Sequence, residues 1–200
     1  MLLAVVLLYV GAVLVVNGIW LIGQARAAEL ESAPAGEPGA TAVAAHPTFI
    51  ENREIAVLNI FTGFIGVVAA VTFAIQGTLD EELASIRASG YILLFAFTYL
   101  WVAYNQFANA GGHAFGWYCL FVAITAVYAG TYTFVNADGN SAAIYLGFDW
   151  FAWAILWFLF FVLLALGRPI ARFTGWLAVL VGIGTSWVFS VLLLEDVLAF

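Results

Sequence analysis

Six long apolar stretches restrict what this 200-residue chain can fold into, and they cover about residues 2–22, 55–75, 91–108, 116–135, 146–166 and 173–194. A helix needs about 20 apolar residues to cross the hydrocarbon core of a bilayer. Charged residues make up only 8% of the chain, whereas they make up about 25% of a soluble domain. The sequence therefore predicts an all-α, polytopic membrane protein in which residues 1–200 form a single bundle of six transmembrane helices.

The connections between these stretches predict how the chain is oriented in the membrane. The longest connection, residues 23–54, is predicted to be a cytoplasmic loop. Arginine is enriched in cytoplasmic loops, and the first, third and fifth connections hold Arg26, Arg53, Arg168 and Arg172, against Arg87 alone in the second and fourth. The odd connections are therefore predicted to be cytoplasmic, with both termini outside.

Groups that support catalysis or ion coupling are missing from the centres of the predicted spans. Glu54 and Asp149 lie near span ends, and His46 and His113 lie in connections. Pumps and ion-coupled transporters carry ionisable groups at membrane depth, and the chain has no catalytic or metal-ligand motif. It also has no lysine, which argues against a nucleic-acid partner. We therefore expect that the chain is not an enzyme and binds no metal or cofactor. A passive route for a neutral solute needs no ionisable group and is compatible with the sequence.

Three tryptophans of the fifth span share one helix face. Trp150, Trp153 and Trp157 are spaced at i, i+3 and i+7, and at 1.5 Å per residue they cover about 10 Å of depth. A belt of interfacial aromatic residues would account for Trp150, but the other two lie deeper. The face is predicted to line a passage, with helix packing as the alternative.

Two further faces carry a few polar groups among apolar ones. In the first span, Asn17 continues a stripe of aliphatic side chains, and its amide is predicted either to line a passage or to form an interhelical hydrogen bond. Walls of this composition favour a small, planar, neutral solute, because ions lose their hydration at high cost in an apolar constriction. The stripe comprises Leu3, Leu7, Val10, Leu14 and Asn17, and the third span contributes Phe95, Thr98 and Tyr99.

Five longer motifs extend along the same helices: LLYVGAVLVVNGIW (residues 7–20), LLFAFTYLWVAYN (93–105), WYCLFVAIT (117–125), DWFAWAILW (149–157) and RPIARFTGWLA (168–178). Together they resemble the AmiS/UreI family of urea and amide channels, in the same order along six helices. Only the second span matches less distinctly.

This resemblance implies a protomer with its own pore, assembled as a homo-hexamer in the cytoplasmic (inner) membrane with both termini outside. It implies that the permeant is urea or a short-chain aliphatic amide. It also implies pore-lining roles for Leu3, Leu7, Val10, Leu14, Asn17, Phe95, Thr98, Tyr99, Trp150, Trp153 and Trp157.

Two departures from the acid-activated members of the family bear on regulation. Those members have a long, histidine-bearing loop between spans two and three, whereas residues 76–90 here are few and contain no histidine. They also have a glutamate in span six where this chain has Val181. Histidine is the side chain that ordinarily titrates near pH 6, so we predict no acid gating. These departures favour the branch of the family that supplies a cytoplasmic amidase or urease.

Two alternatives to a channel follow from the same features. A small, six-span protein can be the solute-capture subunit of a multi-component transporter, which binds its solute without passing it alone. It can also be a structural protein with a packed interior.

Overall fold

The computed structural model describes residues 2–31 and 49–200, and this part of the chain contains six helices that are long and apolar enough to cross a membrane. The six-span prediction is therefore confirmed, and the protein is a multi-pass membrane protein. The first five helices are α1 (Leu2–Glu31), α2 (Asn52–Leu79), α3 (Leu83–Ala108), α4 (His113–Val135) and α5 (Ser141–Leu164). The sixth, Ala171–Leu194, consists of α6 (Ala171–Val181), a π-helical turn (Gly182–Trp187) and α7 (Val188–Leu194).

Most of these helices extend beyond the apolar stretches that predicted them. α1 has 30 residues, which corresponds to about 45 Å, whereas the hydrocarbon core is about 30 Å thick. Hydropathy marks only the part of a helix that lies in lipid, and backbone hydrogen bonds continue past it. Residues 23–31 are therefore helical rather than part of the predicted loop. The rest of that loop up to residue 48, including His46, lies outside the described residues.

The predicted connection at residues 76–90 is also shorter in the structure. α2 continues to Leu79 and α3 begins at Leu83, so only residues 80–82 connect the two helices. Arg87 consequently belongs to the second turn of α3 instead of a loop, and this position matters for the site described below.

Small residues allow the helices to approach closely. The main helix pairs are α1 with the sixth helix, α2 with α3, and α4 with α5. Where α1 crosses α6, a Cβ added to Gly18 would lie 2.6 Å from the carbonyl oxygen of Gly175, and one added to Gly175 would lie 2.8 Å from the carbonyl oxygen of Gly18. The two backbones therefore touch, as is common between membrane helices.

Large apolar side chains cover much of the outside of the bundle. Phe64, Ile124 and Leu180 are each 64% exposed, and each lies on a different helix. Such a surface is unfavourable in water and is suited to contact with lipid or with neighbouring protein in a membrane.

Candidate functional site

A cavity of about 190 Å³ lies inside the bundle, mainly between α1, α3 and α5. Its lining extends along α1 from Leu3 to Leu14, which corresponds to about 16 Å at 1.5 Å per residue. A buried site needs only about 10–15 Å³ to hold one water, so the cavity has room for a small solute. One end, which we call the mouth, is bounded by Ala84, Arg87, Tyr132 and Thr133, and Ala84 and Tyr132 are exposed there.

The structure brings most of the sequence-predicted site residues together around this cavity. Three helices contribute them, each with the face that the helical spacing predicts. The members that line the cavity are Leu3, Leu7, Val10 and Leu14 from α1, Phe95 and Tyr99 from α3, and Trp150, Trp153 and Trp157 from α5. Their role in permeation is treated below as part of the proposed function.

Asn17 and Thr98 are not among the described residues that line the cavity. The Asn17 amide exchanges two hydrogen bonds with Asn59 of α2: Asn17 Nδ2 donates to Asn59 Oδ1 at 3.1 Å, and Asn59 Nδ2 donates to Asn17 Oδ1 at 2.7 Å. Thr98 is fully buried, and its hydroxyl donates to the carbonyl oxygen of Phe95 at 2.6 Å. The structure thus gives Asn17 the interhelical hydrogen bond that was the alternative to lining.

Aromatic rings form one wall of the cavity. The Phe95 ring lies 5.4 Å from the rings of both Trp150 and Trp153 and 5.9 Å from that of Trp157, measured between centroids. The three tryptophans are buried within the bundle and do not project into lipid. Their depth and their inward direction agree with the face predicted from the spacing.

Two contacts fix the orientation of this wall. The Trp153 indole donates from Nε1 to Thr185 Oγ1 at 2.8 Å, and the Thr185 hydroxyl donates to the Val181 carbonyl oxygen at 2.6 Å. Thr185 belongs to the π-helical turn, so an irregular turn of the sixth helix supplies the acceptor. Behind Trp150, a Cβ added to Gly130 would lie only 2.9 Å from the Trp150 Cβ. α4 therefore packs directly against the base of that indole.

Three charged or aromatic lining residues near the mouth, Arg87, Tyr91 and Tyr132, were not predicted from the sequence. Tyr91 lies edge-on to Trp150, with ring centroids 5.2 Å apart, and the Arg87 guanidinium carbon lies 4.2 Å from the centroid of the Tyr132 ring. A signal for two of them exists, because Arg87 and Tyr91 continue the i, i+4 series of Phe95 and Tyr99 towards the start of α3.

Asp149 is buried, although the sequence predicted a position near a span end. α5 begins at Ser141, so Asp149 lies about 12 Å along the helix. It is 2% exposed, and within the described part of the chain no group forms a hydrogen bond to its Oδ2. It faces the sixth helix, beside a surface depression that Tyr145 and Gly184 also line.

The chemistry of the cavity wall limits what it can hold. Apart from Arg87, the polar groups of the described lining side chains are the hydroxyl groups of Thr62, Tyr91, Tyr99, Tyr132 and Thr133 and the indole N–H groups of the three tryptophans, of which that of Trp153 is bonded to Thr185. No cluster of three or more histidine, cysteine, aspartate or glutamate side chains that could hold a metal ion occurs in the described ranges. The wall offers apolar and ring surfaces with few hydrogen-bonding groups, which suits a small uncharged solute.

The chain is similar to known membrane transport proteins over most of its length. AmiS2 of Rhodococcus erythropolis, which carries the name of a transporter, is 36% identical over 189 residues, covering 94% of this chain and 77% of that protein. The acid-activated urea channel of Helicobacter pylori is 31% identical and covers 93% of this chain and 94% of its own.

A solved structure and a family profile also match this chain. The crystal structure of the Helicobacter pylori urea channel superposes with a TM-score of 0.77 at 29% identity and covers 98% of this chain and 99% of the channel. The profile of the AmiS/UreI family of transporters matches residues 45–197. This match covers most of the chain, so the protein belongs to the AmiS/UreI family.

Proposed function

We propose that the protein is a passive channel for small, neutral, planar solutes, namely urea and short-chain aliphatic amides. The observation that carries the proposal is the cavity wall in which Trp150, Trp153 and Trp157 face Phe95 inside a six-helix bundle. The nine sequence-predicted residues that line the cavity would be pore-lining.

The energetics of the wall favour uncharged solutes. A planar amide keeps contact with flat ring faces while it exchanges some hydrogen bonds with the hydroxyl groups of Thr62 and Tyr99. An ion would have to lose its hydration among apolar side chains, which is prohibitive. Contacts that are weak and multiple allow the solute to leave as well as to bind, as conduction requires.

The relatives support both permeants. One carries the name of an acid-activated urea channel, and another, from Mycolicibacterium smegmatis, is 34% identical and is named for the transport of amidate substrates. An extra methyl group changes the free energy in an apolar slot by only about 1–3 kcal/mol. We therefore propose that one wall serves urea and the smallest amides.

The proposed setting is a homo-hexamer in the cytoplasmic membrane, with both termini outside. The family resemblance supports the hexamer, and the distribution of arginines supports the orientation. Near the proposed cytoplasmic side, Arg172 Nη1 lies 3.8 Å from Glu29 Oε2, where α1 ends and α6 begins. A cytoplasmic amidase or urease would consume the solute that enters.

Flux measurements on the purified protein test this function. Liposomes that contain the protein should take up urea, acetamide and propionamide faster than empty liposomes do in stopped-flow light scattering, without passing sodium. Equilibrium binding of these solutes without any flux would instead support the solute-capture subunit. If the protein shows neither binding nor flux, the result would support a structural protein with a packed interior.

We further propose that permeation is not gated by external acid. In the described part of the chain, the turn at residues 80–82 replaces the histidine-bearing loop of the acid-activated members. Urea flux into the same liposomes should change by less than about twofold between external pH of about 7.5 and about 5, because no histidine titrates at this turn. A rise of several-fold at acid pH would refute this.

A further inference from the structure

Arg87 differs from the rest of the cavity wall. Of the described residues that line the cavity, it alone carries a charge. It lies one helical turn before Tyr91 in α3, at the mouth, and it is half-buried. A solute that enters from this end therefore meets a guanidinium group before it meets the apolar section.

The guanidinium is held by an aromatic ring. Its central carbon lies 4.2 Å from the centroid of the Tyr132 ring of α4, which is the distance of a cation–π contact. Among the described residues, no acceptor forms a hydrogen bond with the Arg87 side chain, so its five N–H donors are not taken by another protein group.

The acidic side chains near Arg87 do not occupy these donors. Glu82, in the turn before α3, accepts a hydrogen bond from the Ser85 hydroxyl at 2.6 Å. Across the described ranges, no carboxylate forms an ion pair with Arg87. A half-buried arginine that contacts a ring and, within the described residues, no carboxylate is suited to bind an oxygen acceptor from a passing molecule.

We infer that Arg87 is a solute-binding site at the mouth, where its N–H groups bind the carbonyl oxygen of urea or an amide before the solute enters the apolar section. This inference rests on the proposed function and names a specificity determinant for it. The carbonyl oxygen is the strongest acceptor of these solutes, and its hydration is lost on entering the cavity. A charge-assisted hydrogen bond at the mouth replaces that hydration while the rest of the solute loses its water.

The same donors would bind a small oxyanion. A guanidinium binds planar or tetrahedral oxygen groups with two parallel hydrogen bonds. An anion of about the size of acetamide would bind at Arg87, but its charge would keep it out of the apolar section beyond Tyr91. It should therefore block the mouth, which is a behaviour that a purely apolar passage would not show.

Methanesulfonate is a suitable probe because it stays charged at neutral pH and does not cross lipid as a neutral acid. Acetamide uptake into liposomes is measured with sodium methanesulfonate or with an equal concentration of sodium chloride outside. In the unmodified protein, we expect methanesulfonate to slow uptake. In Arg87→Gln, we expect acetamide permeability to fall at least about threefold and the block to disappear, since the charge-assisted bonds are lost.

Arg53→Gln is the matched control, because it removes the same charge from an exposed arginine of α2 that does not line the described cavity. It should behave like the unmodified protein. If Arg87→Gln does not assemble, Arg87→Lys is tested instead. We expect Arg87→Lys to retain a weaker block and to pass acetamide more slowly, because a lysine lacks the planar pair of donors.

The outcomes separate this inference from the proposed function. If the unmodified protein passes neither urea nor acetamide, the proposed function fails. Alternatively, the unmodified protein passes both solutes, but the Arg87 variants have the same permeability and the same methanesulfonate response as the Arg53→Gln control. In that case the proposed channel function is supported and the inference about Arg87 is wrong.

Discussion

Two regions of the same bundle show how residue size determines whether membrane helices close against each other. At the crossing of α1 and α6, Gly18 and Gly175 bring the backbones into contact and leave no space. Between α1, α3 and α5, the rings of Phe95 and the tryptophans hold the helices apart and surround a cavity. α1 takes part in both regions: one of its faces packs against α6 without a gap, and another lines the cavity.

The largest expected effect comes from placing a larger side chain at the contact between α1 and α6, which we call the sealed crossing. In Gly18→Leu, the new Cβ would lie 2.6 Å from the Gly175 carbonyl oxygen, and backbone cannot move aside as a side chain can. We expect a loss of about 3 kcal/mol of stability and little folded protein in size-exclusion chromatography. Gly90→Leu is the control, because a Cβ at Gly90 meets nothing within 4 Å. Equal yields of both variants would contradict the sealed crossing.

A smaller effect is expected from removing a ring of the cavity wall. Trp153→Ala should widen the passage and reduce the ratio of urea to propionamide permeability by about tenfold, because a close apolar fit discriminates one methyl group by about 1–3 kcal/mol. The measurement is stopped-flow uptake into liposomes. Trp176→Ala is the control, since Trp176 is 55% exposed and does not line the described cavity. Unfolding of Trp153→Ala without a change in selectivity would instead support a packing role.

The smallest effect is expected at the contact between α1 and α2, where the Asn17 and Asn59 amides form hydrogen bonds with each other. Asn59→Leu leaves the Asn17 amide without its partner in α2 and should destabilise the protein by about 1–2 kcal/mol, measured as a lower thermal midpoint in detergent. The double variant Asn17→Leu/Asn59→Leu should recover part of this loss, because no amide is then left unpaired. A double variant less stable than the single one would argue that the amides act separately.

The sequence predicted the features that depend on periodicity. Six spans follow from the length of the apolar stretches, and the inward face of α5 follows from the spacing of Trp150, Trp153 and Trp157. Both depend on local regularities that hold in any helix bundle. For the same reason, the spacing along α1 and α3 predicts most of the residues with which these helices line the cavity, though not the outcome for Asn17 and Thr98.

Features that depend on neighbouring helices were not predictable in this way. Whether Asn17 lines the cavity or pairs with another amide depends on Asn59, which lies on a helix 42 residues away in sequence. The burial of Asp149 and the position of Arg87 depend on helices that extend past their apolar segments. Hydropathy does not register such extensions, because a helix outside lipid needs no apolar residues.

The π-helical turn at Gly182–Trp187 sets the phase of everything that follows it. A π-helical turn holds one residue more than an α-helical turn, so removing one residue from it can be absorbed by a return to α-helical geometry, with α7 keeping its phase. Each residue of an α-helix advances the chain by about 100°, so adding one residue after the turn would rotate the rest of α7 by about that angle. Phe189, Ser190 and Leu193, now buried, would swing towards the outside of the bundle. The end of the sixth helix should therefore tolerate the loss of one residue within the turn far better than the gain of one residue after it.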